Sequence, residues 1–304
     1  MRLRAHITGR HDAGILWSLR RLISFVDDNE DAVLLVGDRY ETAQEAVEAT
    51  RARKPIVHLH GGEVTEGASD DAFRNAITKM AHLHLVSTEE HGRRVKAMGE
   101  DPSTVHVVGA PGLDNMHRDD LPGRKLLELR LGMELKPPVV IVTLHPATLG
   151  ADVREELESI QKAIQAIPAT YVITSSNTDP GHEAVRWNRV TYSLGARDYW
   201  GLMKIADAML GNSSSGLIEA PMVKLPVVNV GDRQKGRLRA KNVIQTDPCY
   251  GVTVALRQAL SREFRAWMAD CESPYGDGKS GQRIANLLGE WVPPSPARKR
   301  PVAA

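Results

Sequence analysis

A chain of 304 residues, 42% apolar and only 5% aromatic, is long enough for two domains with separate cores. Its formal net charge of +1 excludes the broad basic field that nucleic-acid and membrane-surface binding call for, so neither is expected as a partner. The two cysteines, Cys249 and Cys271, form no CxxC and no metal spacing, no apolar run approaches the roughly 18 residues of a membrane span, and nothing after Met1 reads as a secretory signal; the cytoplasm is the expected compartment.

Short apolar, β-branched runs alternate with longer helical patterns, as in parallel βα units. Thr8-Gly9-Arg10 lies before the first clear strand, and Ile15–Phe25 reads as the helix leading into it. Strands are then expected at Ala32–Val36, Pro55–His60, Leu83–Ser87, Val105–Val108, Pro138–His145, Thr170–Thr174, Val190–Tyr192, Asp207–Gly211 and Pro226–Val230. Between them Thr42–Arg53, Glu89–Met98, Val153–Ile167, Ala196–Ala206 and Ser215–Lys224 read as helices. The charged stretch Asp119–Lys136 runs into Pro137-Pro138 just before a strand, so 119–137 reads as a linker between an α/β domain at 1–118 and a second at 138–272. The Pro-rich, basic tail 293–304 is expected to be disordered.

Polar motifs fall at the carboxyl ends of these strands, where open parallel sheets hold ligands. Gly37-Asp38-Arg39 offers a carboxylate and a phosphate-binding fork, and Gly231-Asp232-Arg233 repeats the tripeptide after a strand of the other half; each is also ordinary turn chemistry. In His58-Leu59-His60-Gly61-Gly62-Glu63, alternation puts both histidines on one face, and the glycines let Glu63 turn back over the strand end. A metal reading of His-x-His with Glu suits jelly rolls rather than an alternating α/β chain, and no metal is expected. Asp70 and Asp71 open a helix over Ala72–Met80 and by themselves predict only capping. His145 and the turn Ser175–Gly181, which contains Asn177, open on the same side as Gly211–Pro221. In that last segment, GNSSSGLIEAP, Asn212 and Ser213 to Ser215 supply capping side chains where a helix begins, suited to a diphosphate, and Glu219 lies one turn after Ser215, placed to accept ribose hydroxyls.

Taken in order, GDRYE, HLHGGE with TEGASDDAFRNAITK, TLHPAT, SSNTDPG, GNSSSGLIEAP and VGDRQKGRLRAKNVI resemble the hydrolysing UDP-N-acetylglucosamine 2-epimerase family, closest to the branch serving bacterial sialic and related nonulosonic acid synthesis. The resemblance runs from about Asp31 to Leu288 and includes the segment Ser273–Gly278. It implies an α/β, GT-B-like fold of two Rossmann-like parallel-sheet domains with a cleft between them, a UDP-sugar substrate, no cofactor, and a homodimer. Residues 273–292 would form a final helix packing back on the first domain.

The implied reaction eliminates UDP and adds water with inversion at carbon 2, releasing N-acetylmannosamine or a diacetamido analogue. Matched by position, Asp38, Glu63, Asp70 and Asp71 form the acid/base pool, with His145 as a further catalytic candidate. Arg39, His145, Ser213, Ser214 and Arg233 would hold the phosphates, and Asn177 and Glu219 the nucleoside. Two features depart from the family. Asn75 stands where a histidine usually precedes Ala-Ile-Thr-Lys, and only about thirty residues precede the Ala32 strand, so the first domain is expected to lack its opening strands. The alternatives are a truncated remnant that binds UDP without turnover and a GT-B glycosyltransferase.

Overall fold

The computed structural model describes residues 3–6, 31–66, 70–146, 153–176, 182–187, 191–249 and 251–299. Thr8-Gly9-Arg10, the expected helix Ile15–Phe25 and Asn177 lie outside them. The chain divides into two compact units. Unit 1 comprises Met1–Val64, Asp70–His117 and Tyr275–Ala304; unit 2 comprises Thr65–Ser69 and Arg118–Pro274.

Unit 1 is a parallel sheet in the order β1 (Leu3–His6), β2 (Ala32–Val36), β3 (Ile56–Leu59), β4 (Leu83–Val86) and β5 (Val105–Val107). All five residues of β2 are buried because helices cover both faces of the sheet. Val33, Leu35 and Ile56 meet Ala46 and Ala49 of α1 (Tyr40–Arg51) and Ile77 of α2 (Asp70–Met80). On the other face Ala32, Leu34, Val57, Leu59 and Leu85 share a core with Ile284 and Leu288, which lie on the final helix, Ser280–Glu290. That helix fits by its i, i+4 apolar stripe, and its N-terminus is fixed by Asp114, whose carboxylate accepts from the N–H groups of Ser280 (2.9 Å) and Gly281 (2.6 Å). Asp114 is pushed above the usual carboxylate range by burial, against the pull of those two N–H groups.

Strand β1 corrects the expectation that the sheet opens at Ala32. Its four residues, LRAH, carry too little apolar signal to read as a strand, yet they pair in parallel with β2 from Leu3↔Ala32 to His6↔Leu35. The tail is corrected too. Among residues 293–299, expected to be disordered, Lys299 reaches the carbonyl of Lys79 at 2.9 Å and pairs with Glu100. Glu100 also accepts from Lys79 (2.6 Å) and meets His84 Nε2 at 3.1 Å, so a buried carboxylate anchors the tail.

Unit 2 is a parallel sheet in the order β11-β10-β9-β6-β7-β8, built from β6 (Val139–Thr143), β7 (Thr170–Thr174), β8 (Thr191–Tyr192), β9 (Ala208–Gly211), β10 (Val227–Val230) and β11 (Val243–Thr246). After α3 (Glu89–Ala97) of unit 1, the remaining helices in chain order are α4 (Arg124–Leu131), α5 (Val153–Ala166), α6 (Gly195–Ile205), α7 (Ser215–Ile218), α8 (Val252–Ala259), α9 (Arg262–Trp267) and α10, the final helix. The stretch expected as a linker contains α4, which buries Leu127 and Leu131. The expected helix over Ser215–Lys224 breaks after one turn, where Pro221 has no N–H to continue the ladder, and Ala220–Val223 tightens to 3-10 geometry. From β6 the chain builds outward to β7 and β8, then returns to place β9 on the opposite side of β6. Thr143 and Gly211 pair at that reversal, the point where doubly wound sheets hold ligands. Among the described residues no helix is long and apolar enough to cross a membrane.

Candidate active site

In unit 1 the polar residues gather around Arg74. Its side chain is 1% exposed, yet it pairs with Asp38 through Nη2 and with Asp71 through Nη1, and Nη1 also donates to the Glu63 carbonyl at 2.8 Å. Burial opposes the guanidinium charge, but Asp38, Glu63 and Asp71 outweigh it and hold the group above its ordinary value. One fork therefore ties together the ends of β2 and β3 and the first turn of α2.

The local chain explains how these groups arrive there. Gly37 turns at φ 80° after β2 and delivers Asp38. His58 is fully buried, with Nε2 donating to the Gly37 carbonyl (2.9 Å) and Nδ1 facing Thr78 Oγ1 (3.2 Å). Burial lowers it to about 3, so it holds the turn as a neutral ring with both nitrogens engaged. His60 does not continue the strand face as expected. At φ 68° it sits in the left-handed region, strained for a residue with a Cβ, and its Nδ1 lies 2.8 Å from Glu63 Oε1 and 2.9 Å from Ser87 Oγ. Ser87 donates to the same carboxylate at 3.2 Å. Gly62 lets the chain turn back: at φ 75°, a Cβ there would lie 2.3 Å from the His91 carbonyl. Glu63 is thereby held at 6% exposure.

Asp70 begins α2 and is half-buried. Arg39 precedes α1 with 41% of its side chain exposed and faces Glu41 at 3.5 Å.

In unit 2 the turns after β6, β9 and β10 meet at Asn212, which is fully buried. Its side chain does not cap a helix. Oδ1 accepts from the His145 N–H (2.8 Å), and Nδ2 donates to the His145 carbonyl (2.8 Å) and to Glu156 Oε2 (2.7 Å). The Asn212 carbonyl accepts from Arg233 Nη1 (3.3 Å) and Gln234 Nε2 (2.9 Å), and Arg233 Nε donates to the Pro146 carbonyl at 3.2 Å. Gly211, at φ 137°, is required because a Cβ would fall 1.9 Å from the Thr143 carbonyl. Ser213, Ser214 and Ser215 are half-buried; the Ser213 and Ser215 hydroxyls lie 2.9 Å apart, and Tyr199 meets Ser215 at 2.8 Å. Burial pushes the Tyr199 phenol up to about 12, so it stays a neutral partner of that hydroxyl. Glu219 is half-buried, with its N–H donating to the Ser215 carbonyl at 3.0 Å.

The two Gly-Asp-Arg tripeptides share a backbone solution, Gly37 at φ 80° and Gly231 at φ 72°, but not a role. Arg39 faces outward, whereas Arg233 is tied to two carbonyls of neighbouring turns. The motifs assigned no role to Arg74, to Asn212 as a clamp, or to Glu156, Gln234 and Tyr199. Only Arg74 left a trace, in its i, i+3 spacing from Asp71. Arranged this way, unit 1 offers carboxylates of differing burial for proton transfer, and unit 2 offers hydroxyls and an arginine suited to an anion.

Residues 14–289 match the UDP-N-acetylglucosamine 2-epimerase family. The polysialic acid biosynthesis protein P7 of Escherichia coli is 38% identical over 234 residues, covering 72% of this chain and 59% of that protein. The GDP/UDP-N,N'-diacetylbacillosamine 2-epimerase (hydrolyzing) of Campylobacter jejuni is 36% identical over 256 residues, 80% of this chain and 66% of its own length. The chain thus spans under two thirds of either relative. Among solved structures, the UDP-GlcNAc 2-epimerase of Neisseria meningitidis bound to UDP-GlcNAc superposes with a TM-score of 0.73 at 18% identity, over 93% of this chain and 82% of that one, a likeness of fold.

Proposed function

The chain belongs to the UDP-N-acetylglucosamine 2-epimerase family, and from that membership we propose that it is a hydrolysing epimerase. A base removes the proton at carbon 2 of a UDP-linked 2-acetamido sugar while the carbon 1–oxygen bond breaks and UDP departs. Water then adds across the resulting double bond, its hydroxyl to carbon 1 and a proton to the opposite face of carbon 2. The product is free N-acetylmannosamine or a diacetamido analogue, a precursor for sialic or nonulosonic acid synthesis. The observation that carries this reading is the grouping around Arg74, which pairs with the carboxylates of Asp38 and Asp71 and holds the backbone carbonyl of Glu63, whose own carboxylate is fixed by His60 and Ser87.

Asp38, Glu63, Asp70 and Asp71 serve as the proton-handling pool, and the buried Glu63, held by His60 and Ser87, is its most ordered member. Arg39, His145, Ser213, Ser214 and Arg233 would stabilise the departing diphosphate, and Asn177 and Glu219 the nucleoside. We place the reaction in the cytoplasm and take the working assembly to be a homodimer.

Product analysis by NMR tests the reading. UDP-N-acetylglucosamine and its 4-acetamido-6-deoxy analogue are supplied in parallel, and UDP plus the free 2-epimeric sugar is expected from one of them. Binding of UDP with no turnover of either marks a nucleotide-binding remnant, and transfer to an acceptor marks a glycosyltransferase. Glu63→Gln is expected to stop product release while UDP still binds; undiminished turnover removes Glu63 from the pool.

A further inference from the structure

Glu156, in the first turn of α5, is a carboxyl with 2% of its surface exposed, and among the described residues it has no ion-pair partner. It is wedged between the turns that end β9 and β10. Its Oε2 accepts from Asn212 Nδ2 at 2.7 Å, and its Oε1 lies so close to Gly231 that a Cβ there would come within 2.1 Å of it. Asn212 is the residue that holds His145 by both backbone groups and whose carbonyl receives Arg233 and Gln234. Asn212 alone therefore stands between Glu156 and two of the groups assigned above to the diphosphate, His145 and Arg233.

We propose that Glu156 is a positioning residue that sets the charge of the diphosphate-holding turns, its carboxyl taking a proton from solvent when a nucleoside diphosphate binds beside Ser213 and Arg233. This rests on the proposed UDP role of unit 2.

The physics is a balance of opposing fields. Burial raises the carboxyl, the Asn212 hydrogen bond and Arg233 lower it, and Asp232 raises it again, leaving it at about 7 rather than its ordinary 4.5. Among the described residues, the titratable or charged groups around it are Asp232 and Arg233 from the β10 turn and His145 from the β6 turn. On its own helix, Glu155 points outward, 3.9 Å from the Cys249 thiol. A diphosphate adds negative charge to this set and engages the Arg233 guanidinium, whose charge favours the ionised carboxyl. Both effects drive Glu156 to its neutral form, which still accepts from Asn212 through its carbonyl oxygen. By linkage, the protonated carboxyl binds the anion more tightly than the ionised one.

Isothermal titration of the full chain with UDP, in buffers of different ionisation enthalpy at pH 7.5, reads the proton count. The wild type is expected to take up several tenths of a proton more per UDP than Glu156→Gln, which is neutral and keeps the acceptor for Asn212. From pH 6.5 to 8.5 the wild-type Kd is expected to rise about tenfold more than that of the variant, the weight of an average uptake of about half a proton over two pH units. In Asp232→Asn, which retains Glu156, the uptake is expected to move to lower pH. Equal proton counts with parallel Kd profiles in wild type and Glu156→Gln, or an unmoved profile in Asp232→Asn, overturn the proposal and leave the UDP site intact. Failure of the wild type to bind UDP overturns the functional reading as well.

Discussion

Replacing Arg74 by methionine keeps most of its volume and removes its charge. In the wild type the guanidinium, 1% exposed, serves Asp38, Asp71 and the Glu63 carbonyl together. Breaking a buried pair while leaving its partner in place costs about 3–5 kcal/mol. Here the stranded carboxylates are partly accessible, 23% for Asp38 and 33% for Asp71, so water recovers some of that loss and about 2–4 kcal/mol is expected. Hydrogen exchange read on peptides of β2, β3 and α2 confines the measurement to unit 1 and avoids assuming that both units unfold together. Arg74→Lys restores a charge but not a planar fork, and is expected to recover less than half of the loss. Arg74→Met with Asp38→Asn should cost clearly less than the sum of the single changes. Turnover should fall on the order of a hundredfold with Arg74→Met, because misplaced acid/base groups lose their positional advantage. A loss under about 0.5 kcal/mol, or full rescue by lysine, would refute the claim that this fork organises the carboxylates.

Two further outcomes follow from individual contacts. Gly62→Ala places a Cβ 2.3 Å from the His91 carbonyl at φ 75° and is expected to destabilise unit 1 by about 2 kcal/mol or more while disordering Glu63; wild-type exchange rates in the 58–64 segment would contradict it. Glu100 is held at about 2 against its burial by hydrogen bonds from His84, Lys299 and Lys79. Its stabilising contribution is therefore full above its ordinary 4.5 and is lost as pH falls toward 2. Lys299→Ala weakens that hold, so acid unfolding should begin at higher pH, with a loss of about 1 kcal/mol at pH 7 given the lysine's partial exposure; an unchanged acid limb would show that the tail contact contributes nothing.

Fold class, the order of most strands and the strand-end location of the polar motifs are properties that local pattern carries. Runs such as Val139–Thr143 are buried on both faces, so they are apolar throughout and read as strands with no knowledge of their neighbours. Gly62 and Gly211 likewise announce turns. Elements whose stability comes from partners elsewhere were invisible. Strand β1 exists because β2 offers it a ladder, and α4, inside an apparent linker, because unit 2 takes up Leu127 and Leu131. Lys299 is placed because Glu100, far off in sequence, needs cations.

The candidate site divides in the same way. The residue types expected for phosphate and proton work, Asp38, Glu63, Ser213 and Arg233 among them, were marked by their motifs. Which side chains organise them was decided by tertiary structure alone. Arg74 joins carboxylates from two elements, Asn212 clamps a turn 67 residues away, and Glu156 acquires its unusual proton affinity only when the β9 and β10 turns close over it. Motif identity is a local property of the chain. Burial, the pairing of charges and the proton affinity that follows from them depend on what long-range folding brings within a few ångströms.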